Sequence, residues 1–289
     1  MYTYKRTNLP KNTVEFAVQV PSKDITSEYE LAFEELRKDL AVEGFRKGKV
    51  PKDVAQKNLS KDAVYQKMIQ NYIPRIYTEI VQKEEVKPIV QPHLELVKAK
   101  ENEEWELKLK TAEAPTVELG KYKEKVKAAK DKVKKADIWV PGKDKEPTEE
   151  NKEKQRQAEF QAALEALLKE AKVEISDLIV EEEQEKRLSK LVDDVQKVGL
   201  SMDSYLKSKN LTQQDLTDQV RKEIEESYKL EFIIQKIADE EKIVVDDAEL
   251  DHIFANIKDE KEKQMAKANA YYYAAFMRKQ KALDYINSL

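Results

Sequence analysis

The spacing of the apolar residues, combined with a near absence of glycine, constrains the fold of this chain more than any other feature. Only 5 of its 289 residues are glycine, while 40% are hydrophobic and 38% are charged. Long stretches repeat apolar residues at intervals of three and four, as amphipathic helices with wide solvated faces do. The sequence therefore predicts a mostly helical, multi-domain protein with its apolar material spread along helices.

The sequence contains no recognisable catalytic or metal-binding motif. The chain has no cysteine, which excludes disulfides and thiolate sites, and its two histidines, His93 and His252, lie far apart without metal-ligand spacing. No glycine-rich phosphate loop is present. We therefore predict no catalytic residue, no metal and no cofactor. The N-terminus has no apolar signal region and no stretch approaches 18 apolar residues, which predicts a cytoplasmic protein without membrane contact.

The first 118 residues show both strand and helix periodicity. Residues 13–20, "TVEFAVQV", alternate apolar and polar positions, and two further strands are predicted at 93–100 and 104–110. Three helices are predicted between the first and second of these strands. We expect Ser60 to cap the third helix and Pro74 to kink or break it. Residues 1–118 are thus predicted to form an α+β domain with an antiparallel sheet.

The remainder of the chain has helical periodicity almost throughout. Residues 121–135 hold eight lysines, and "WVPGKDKEPTEE" at 139–150 is the clearest break. We assign 119–149 to this lysine-rich helix and linker, and 150–289 to an elongated all-α domain. Its helices are predicted at roughly 150–172, 176–198, 201–209, 212–241, 247–258 and 260–287. Thr212 with Asp215 three residues later resembles a capping box with Asp in place of Glu or Gln.

The stretch "EGFRKGKVP" leaves two interpretations open. Gly44 is either a helix C-cap followed by an ordinary polar turn, or the beginning of a binding loop. The binding interpretation rests on Phe45 and on the cations Arg46, Lys47 and Lys49, which suit phosphate contact combined with stacking or pocket insertion.

The aromatic run "AYYYAAFMRKQ" at 270–280 also has two interpretations. Three consecutive tyrosines cover about 200° of a helix, so they do not all face one core. Either two are buried and one is half-exposed, or the run forms an adaptable apolar surface for a client chain. The client-binding candidates are Tyr271, Tyr272, Tyr273, Phe276 and Met277.

The loop and its surroundings resemble the trigger factor family of bacterial ribosome-associated chaperones. The resemblance rests on "GFRKGKVP" with "KDVAQK", and on "VEFAVQVP", "VKPIVQP" and "APTVELGKY" in the family's order. It covers residues 1–120 well, and the helical part resembles the family's substrate-cradling domain in order and pattern. It implies that Phe45, Arg46, Lys47 and Lys49 dock on a ribosomal protein and rRNA at the exit tunnel of the large subunit. Gly44 and Gly48 would set the bend of the loop.

The resemblance also implies a cradle that holds unfolded nascent chains without ATP, and self-association into a homodimer away from the ribosome. This sequence departs from the family pattern because only about 30 to 40 residues replace the FKBP-like prolyl isomerase domain. No isomerase activity is therefore expected. The alternatives are a free cytosolic holdase resembling SurA, or a peptidyl-prolyl isomerase as in full-length members of the family.

Overall fold

The computed structural model describes residues 2–101, 103–136, 149–257 and 259–289. The chain divides into two compact units. Unit 1 contains Met1–Ala114 and the short returning segment Ser176–Ile179, and unit 2 contains Pro115–Ile175 and Val180–Leu289. Most of the linker predicted at 139–150 lies outside the described residues.

Unit 1 is built on a four-stranded antiparallel sheet with strand order β1-β2-β4-β3. The strands are β1 (Thr3–Leu9), β2 (Thr13–Val20), β3 (His93–Lys98) and β4 (Trp105–Ala112). Because side chains alternate along a strand, β2 directs one apolar row into the core, formed by Val14, Phe16, Val18 and Val20. The predicted α+β class of this unit is confirmed.

Strand β1 was not predicted. It pairs with β2 along its whole length, but most of its side chains are exposed at the edge of the sheet. An edge strand with lysine and arginine has no apolar alternation to detect, although those charges protect an edge against unwanted pairing. The β1–β2 turn places Lys11 and Asn12 at positive φ.

Three helices pack on this sheet: α1 (Ser22–Asp39), α2 (Lys52–Asn58) and α3 (Lys61–Lys83). Ser60 caps α3 as predicted, accepting a hydrogen bond of 3.2 Å from the Ala63 N–H. Of the kink or break expected at Pro74, the break is wrong, since α3 continues through this residue. Proline has no N–H, so the Gln70 carbonyl lacks its usual helical donor at residue 74. Both residues are exposed, so water can bind this carbonyl instead.

Unit 2 is helical apart from a small ribbon of β5 (Val117–Glu118) and β6 (Lys172–Val173). Its helices are α4 (Tyr122–Ala136), α5 (Glu149–Glu170), α6 (Asp177–Lys197, which starts in unit 1), α7 (Met202–Lys209), α8 (Gln213–Glu240), α9 (Asp247–Ala255), α10 (Glu260–Ala268) and α11 (Ala270–Ser288). The largest fully buried side chains of this unit are Leu167, Ile224, Ile233, Ile237 and Ile286. The capping box expected at Thr212 and Asp215 is present.

One helix predicted at 260–287 is in fact two. Asn269 separates α10 from α11, and its side-chain amide donates to the Met265 carbonyl at 2.7 Å. This local bond competes with the helical backbone pattern, which is why asparagine weakens helix interiors. The lysine-rich helix α4 packs mainly on α5, within unit 2.

Within the ranges given above, no helix is long and apolar enough to cross a membrane.

Candidate functional site

The glycine-containing loop between α1 and α2 consists of two successive tight turns. Helix α1 ends at Asp39, and Leu40 follows in an extended conformation, so the interpretation of Gly44 as a helix C-cap is wrong. The Phe45 N–H donates to the Val42 carbonyl at 3.0 Å in the first turn. The Lys49 N–H donates to the Arg46 carbonyl at 2.9 Å in the second. Residues 42–49 thus form a defined loop.

Each turn has glycine at its third position. Gly44 has φ +84° and Gly48 has φ +79°, whereas Glu43 and Lys47 before them do not have positive φ. This is the pattern of a type II turn, which needs a residue that tolerates positive φ at that position. A Cβ on Gly44 would meet nothing within 4 Å, and one on Gly48 would meet only the Lys38 carbonyl at 3.5 Å. The backbone conformation, and not crowding, therefore selects glycine here.

The loop is anchored at its base and exposed at its tip. Val50 is only 2% exposed and belongs to the core of unit 1, and the half-buried Val42 packs against the same core. Phe45 is 41% exposed, which is unusual for an aromatic side chain with a nearby core available. Arg46, Lys47, Gly48 and Lys49 are exposed as well. The predicted docking residues therefore lie together on one projecting surface, which we call the docking loop (residues 44–49).

The cations of the docking loop are not equivalent. Lys47 Nζ lies 3.0 Å from Asp39 Oδ1 at the end of α1, in an exposed ion pair. Arg46 and Lys49 form no ion pair with any residue that the structure describes. An exposed pair is weak and screened by salt, so it moderates the charge of Lys47 without neutralising it. The loop thus presents two unpaired cations and one paired cation beside an exposed aromatic ring.

The aromatic run of α11 is the second candidate surface. Tyr271 is 81% exposed and Phe276 is 70% exposed, and Tyr272 is exposed too. Tyr273 contacts the Phe254 ring edge-on at 5.4 Å between centroids, and Met277 is half-buried. The interpretation that two of the tyrosines are buried is therefore wrong. The run thus presents several neighbouring aromatic rings to solvent on one helix, as an interaction surface does.

A groove adjoins Tyr271 between α8 and α11. Its volume is about 490 Å³. Its apolar lining includes Ile234, Ala238, Val244, Ala274 and Ala275. Val244, which is 70% exposed, is a candidate contact that sequence reasoning missed. Val244 and Tyr271 are distant in sequence, and only the fold brings them to one groove.

Cations from α11 position the wall of this groove. Arg278 Nε donates to the Ile243 carbonyl at 2.8 Å, and Lys281 Nζ donates to the Val244 carbonyl at 3.0 Å. Lys281 also binds Glu249 at 2.6 Å and, as the main cause, lowers the pKa of that carboxyl below its usual value. The loop that carries Val244 is thereby fastened to α11 by charge-assisted hydrogen bonds.

Two family models match almost the whole chain. One, described as "Bacterial trigger factor protein (TF)", matches residues 2–140, and another, described as "Bacterial trigger factor protein (TF) C-terminus", matches residues 144–287. Among curated proteins, the trigger factor of Ligilactobacillus salivarius is 35% identical over 133 residues, which are 46% of this chain and 30% of that protein. The trigger factor of Lactiplantibacillus plantarum is 32% identical over 113 residues, which are 39% of this chain and 26% of that protein. The chain thus spans less than a third of the length of these curated relatives.

A solved structure has a similar fold. It is described as "Promiscuous Substrate Recognition in Folding and Assembly Activities of the Trigger Factor Chaperone", and it covers 99% of this chain and 99% of its own chain. The TM-score is 0.62 at 15% sequence identity. This likeness extends over both compact units and shows the fold.

Proposed function

The chain belongs to the trigger factor family, and we propose that it is an ATP-independent chaperone that docks at the exit site of the large ribosomal subunit and shields nascent chains. The observation that carries this proposal is the docking loop, where a projecting aromatic ring and unpaired cations share one tip. Arg46, Lys47 and Lys49 would contact rRNA phosphates. Phe45 would enter a pocket on a ribosomal protein. Such contacts are short-range and salt-sensitive, which suits reversible docking.

In this proposal residues 1–118 form the ribosome-binding domain, and residues 150–289 form the domain that holds clients. Clients would contact the exposed aromatic run and the α8–α11 groove (the groove lined by Ile234, Val244 and Tyr271) through broad, weak apolar contacts. Weak contacts permit release without nucleotide hydrolysis. The exposed apolar area also favours self-association away from the ribosome, and a homodimer is part of the proposal. We place this activity in the cytoplasm.

We further propose that the chain has no prolyl isomerase activity. Only residues 141–143 separate the two matched ranges, which supports a direct succession of the ribosome-binding and client-binding parts. A proline-peptide isomerisation assay tests this point, and a rate above the uncatalysed background would refute it. The free holdase alternative, resembling SurA, would not use the docking loop at all.

Co-sedimentation with purified bacterial ribosomes tests the docking proposal. We compare the wild-type chain with the triple variant Phe45→Ala, Arg46→Ala, Lys47→Ala, at low and moderate salt. We expect salt-sensitive pelleting of the wild type that the triple variant loses, with an unchanged thermal unfolding midpoint. A wild-type chain that stays in the supernatant at low salt would refute ribosome docking and favour the free holdase.

A further inference from the structure

Helix α4 concentrates positive charge in a chain that is acidic overall. Residues 121–135 hold eight lysines against Glu124 and Asp131, whereas the formal net charge of the chain is −4. Lysines near the first turn of a helix also oppose the helix dipole, which favours negative charge at that end. Helix stability therefore does not explain why Lys121, Lys123 and Lys125 lie around the N-terminus of this helix.

Three of these lysines have partners among the residues that the structure describes. Lys123 pairs with Glu241 at 2.7 Å, and Lys134 pairs with Glu159 at 3.7 Å. Lys130 is buried and donates to the Asn287 carbonyl at 2.5 Å. The other five are exposed and form no ion pair with any described residue, and we call them the lysine face: Lys121, Lys125, Lys127, Lys132 and Lys135.

The lysine face is elongated along the helix. Lys125, Lys132 and Lys135 fall within an arc of about 80° at 3.6 residues per turn, and Lys127 lies about 80° further round the helix from Lys135. Lys121 precedes the first turn, so the face extends for about 21 Å at 1.5 Å per residue. Such a line of cations matches a ligand with charges repeated along its length, as in a nucleic-acid backbone.

Acidic side chains near the face leave it cationic. Glu124 and Asp131 lie on α4 itself, and Glu165 and Glu170 line the groove between α4 and α5 together with Lys125 and Lys132. Glu165 pairs with Lys169, and Glu170 accepts the Lys121 backbone N–H at 3.0 Å. These two acids of α5 are therefore already engaged, and none of the four lies within ion-pair distance of the lysine face.

The packing of α4 argues against a membrane as the partner. A helix that binds lipid inserts its apolar side into the bilayer. In α4 that side carries Tyr122 and Val126, which are buried, and Val133, which is half-buried. The lysine face is thus a purely electrostatic surface.

We propose that the lysine face binds the phosphate backbone of RNA, as a contact separate from the docking loop. The choice of RNA among polyanions rests on the proposed docking to the ribosome. Five neutralised phosphates of a single strand give a slope of log affinity against log salt of about −3.5. Between about 50 mM and 200 mM salt, these contacts would lose about 100-fold in affinity.

Fluorescence anisotropy of the full chain with a labelled, unstructured single-stranded RNA tests the proposal. The test variant changes all five lysines of the face to Gln, which preserves helix propensity. A matched control removes the same charge from ion-paired, exposed lysines elsewhere in unit 2, namely Lys152, Lys154, Lys186, Lys197 and Lys222. A third variant changes the five face lysines to Arg and so retains their charge.

We expect the Gln variant of the face to lose about tenfold or more in RNA affinity at low salt and most of the salt dependence. The control and the Arg variant should bind within about twofold of wild type. Equal losses in the test and control variants would overturn the proposal, because they would reflect net charge alone. A Gln variant of the face that binds RNA as tightly as the wild type would overturn the proposal too. The same holds if this variant loses affinity only for anionic lipid vesicles or only for acidic peptides, and not for RNA.

This outcome is separable from that of the docking proposal. If the wild type binds RNA through the lysine face but does not pellet with ribosomes, ribosome docking fails and the RNA-binding surface stands. If the Phe45, Arg46, Lys47 triple variant stops pelleting while the Gln variant of the face binds RNA as wild type, docking stands and the lysine face has no role in RNA binding. Should the Gln variant unfold, the Arg variant and a triple change of Lys125, Lys132 and Lys135 to Gln keep the comparison available.

Discussion

Replacing Gly44 by Ala tests whether docking depends on the first turn of the loop. Gly44 has φ +84°, and a Cβ built there meets nothing within 4 Å, so the penalty for Ala is purely conformational. A residue with a Cβ costs about 1–2 kcal/mol in this region relative to glycine. If docking requires the turn, the apparent dissociation constant for ribosomes should rise about 5- to 30-fold.

Gly44→Asn is the matched control. Asparagine also carries a Cβ, but it tolerates positive φ far better than alanine does. We therefore expect Gly44→Asn to recover most of the ribosome affinity that Gly44→Ala loses. Because residues 43–49 are exposed and Val50 holds the base of the loop, the loop can change shape locally. The thermal unfolding midpoint should then change little in either variant.

Quantitative ribosome pelleting over a protein titration measures both dissociation constants, and circular dichroism gives the midpoints. Equal affinities for Gly44→Ala and Gly44→Asn, both close to wild type, would refute the requirement for the turn. Equal and large losses in both would also refute the reasoning, because they would indicate a direct contact with the glycine backbone that any Cβ blocks.

Three further predictions concern the ion pair, the helix cap and a buried phenol of unit 1. Asp39→Asn releases Lys47 from its 3.0 Å pair and should tighten ribosome docking about two- to fivefold at low salt, an effect that should vanish in the Lys47→Gln background. Ser60→Ala removes the bond from the Ala63 N–H and should lower the free energy of unfolding in urea by about 1 kcal/mol, whereas Ser60→Asp should retain it. Burial, aided by nearby carboxylates, raises the pKa of the Tyr72 phenol from 10.0 to about 12. Between pH 10.0 and about pH 12, the folded chain therefore keeps a phenol proton that the unfolded chain loses. Its stabilising contribution is complete below pH 10.0 and is lost towards pH 12, and a Tyr72→Phe variant should show a shallower fall of the unfolding midpoint over that window.

Local sequence patterns predicted those elements whose stability is itself local. The alternation of β2, the Ser60 cap and the capping box at Thr212 and Asp215 each involve residues a few positions apart, and the structure has all three. Strand β1 escaped prediction because its pairing partner defines it, and its own side chains are mostly solvated. The split at Asn269 escaped because apolar periodicity continues on both sides of it.

In the candidate sites too, features built from neighbouring residues were predictable from the sequence, and features that depend on the fold were not. Residues 44–49 are contiguous, so composition and glycine spacing identify them as a candidate binding loop, with a helix C-cap as the alternative. The turn type and the pairing of Lys47 with Asp39 depend on backbone angles and on where α1 ends, which periodicity does not locate to a single residue. Val244 joins Tyr271 in a groove only through the packing of α8 with α11, and no local pattern connects them.

The three proposed binding surfaces fall into two classes, charged and apolar, whose interactions respond oppositely to salt. Docking through Arg46 and Lys49, and RNA contact through the lysine face, release counter-ions and therefore weaken as salt rises. Contacts at Tyr271, Phe276 and the α8–α11 groove are apolar, and apolar burial is insensitive to screening and strengthens in salts excluded from protein surfaces. Client capture and ribosome docking are thus independent in their physical basis, so a chain released from the ribosome by salt should retain its hold on an apolar client. A single surface serving both partners would lose both together.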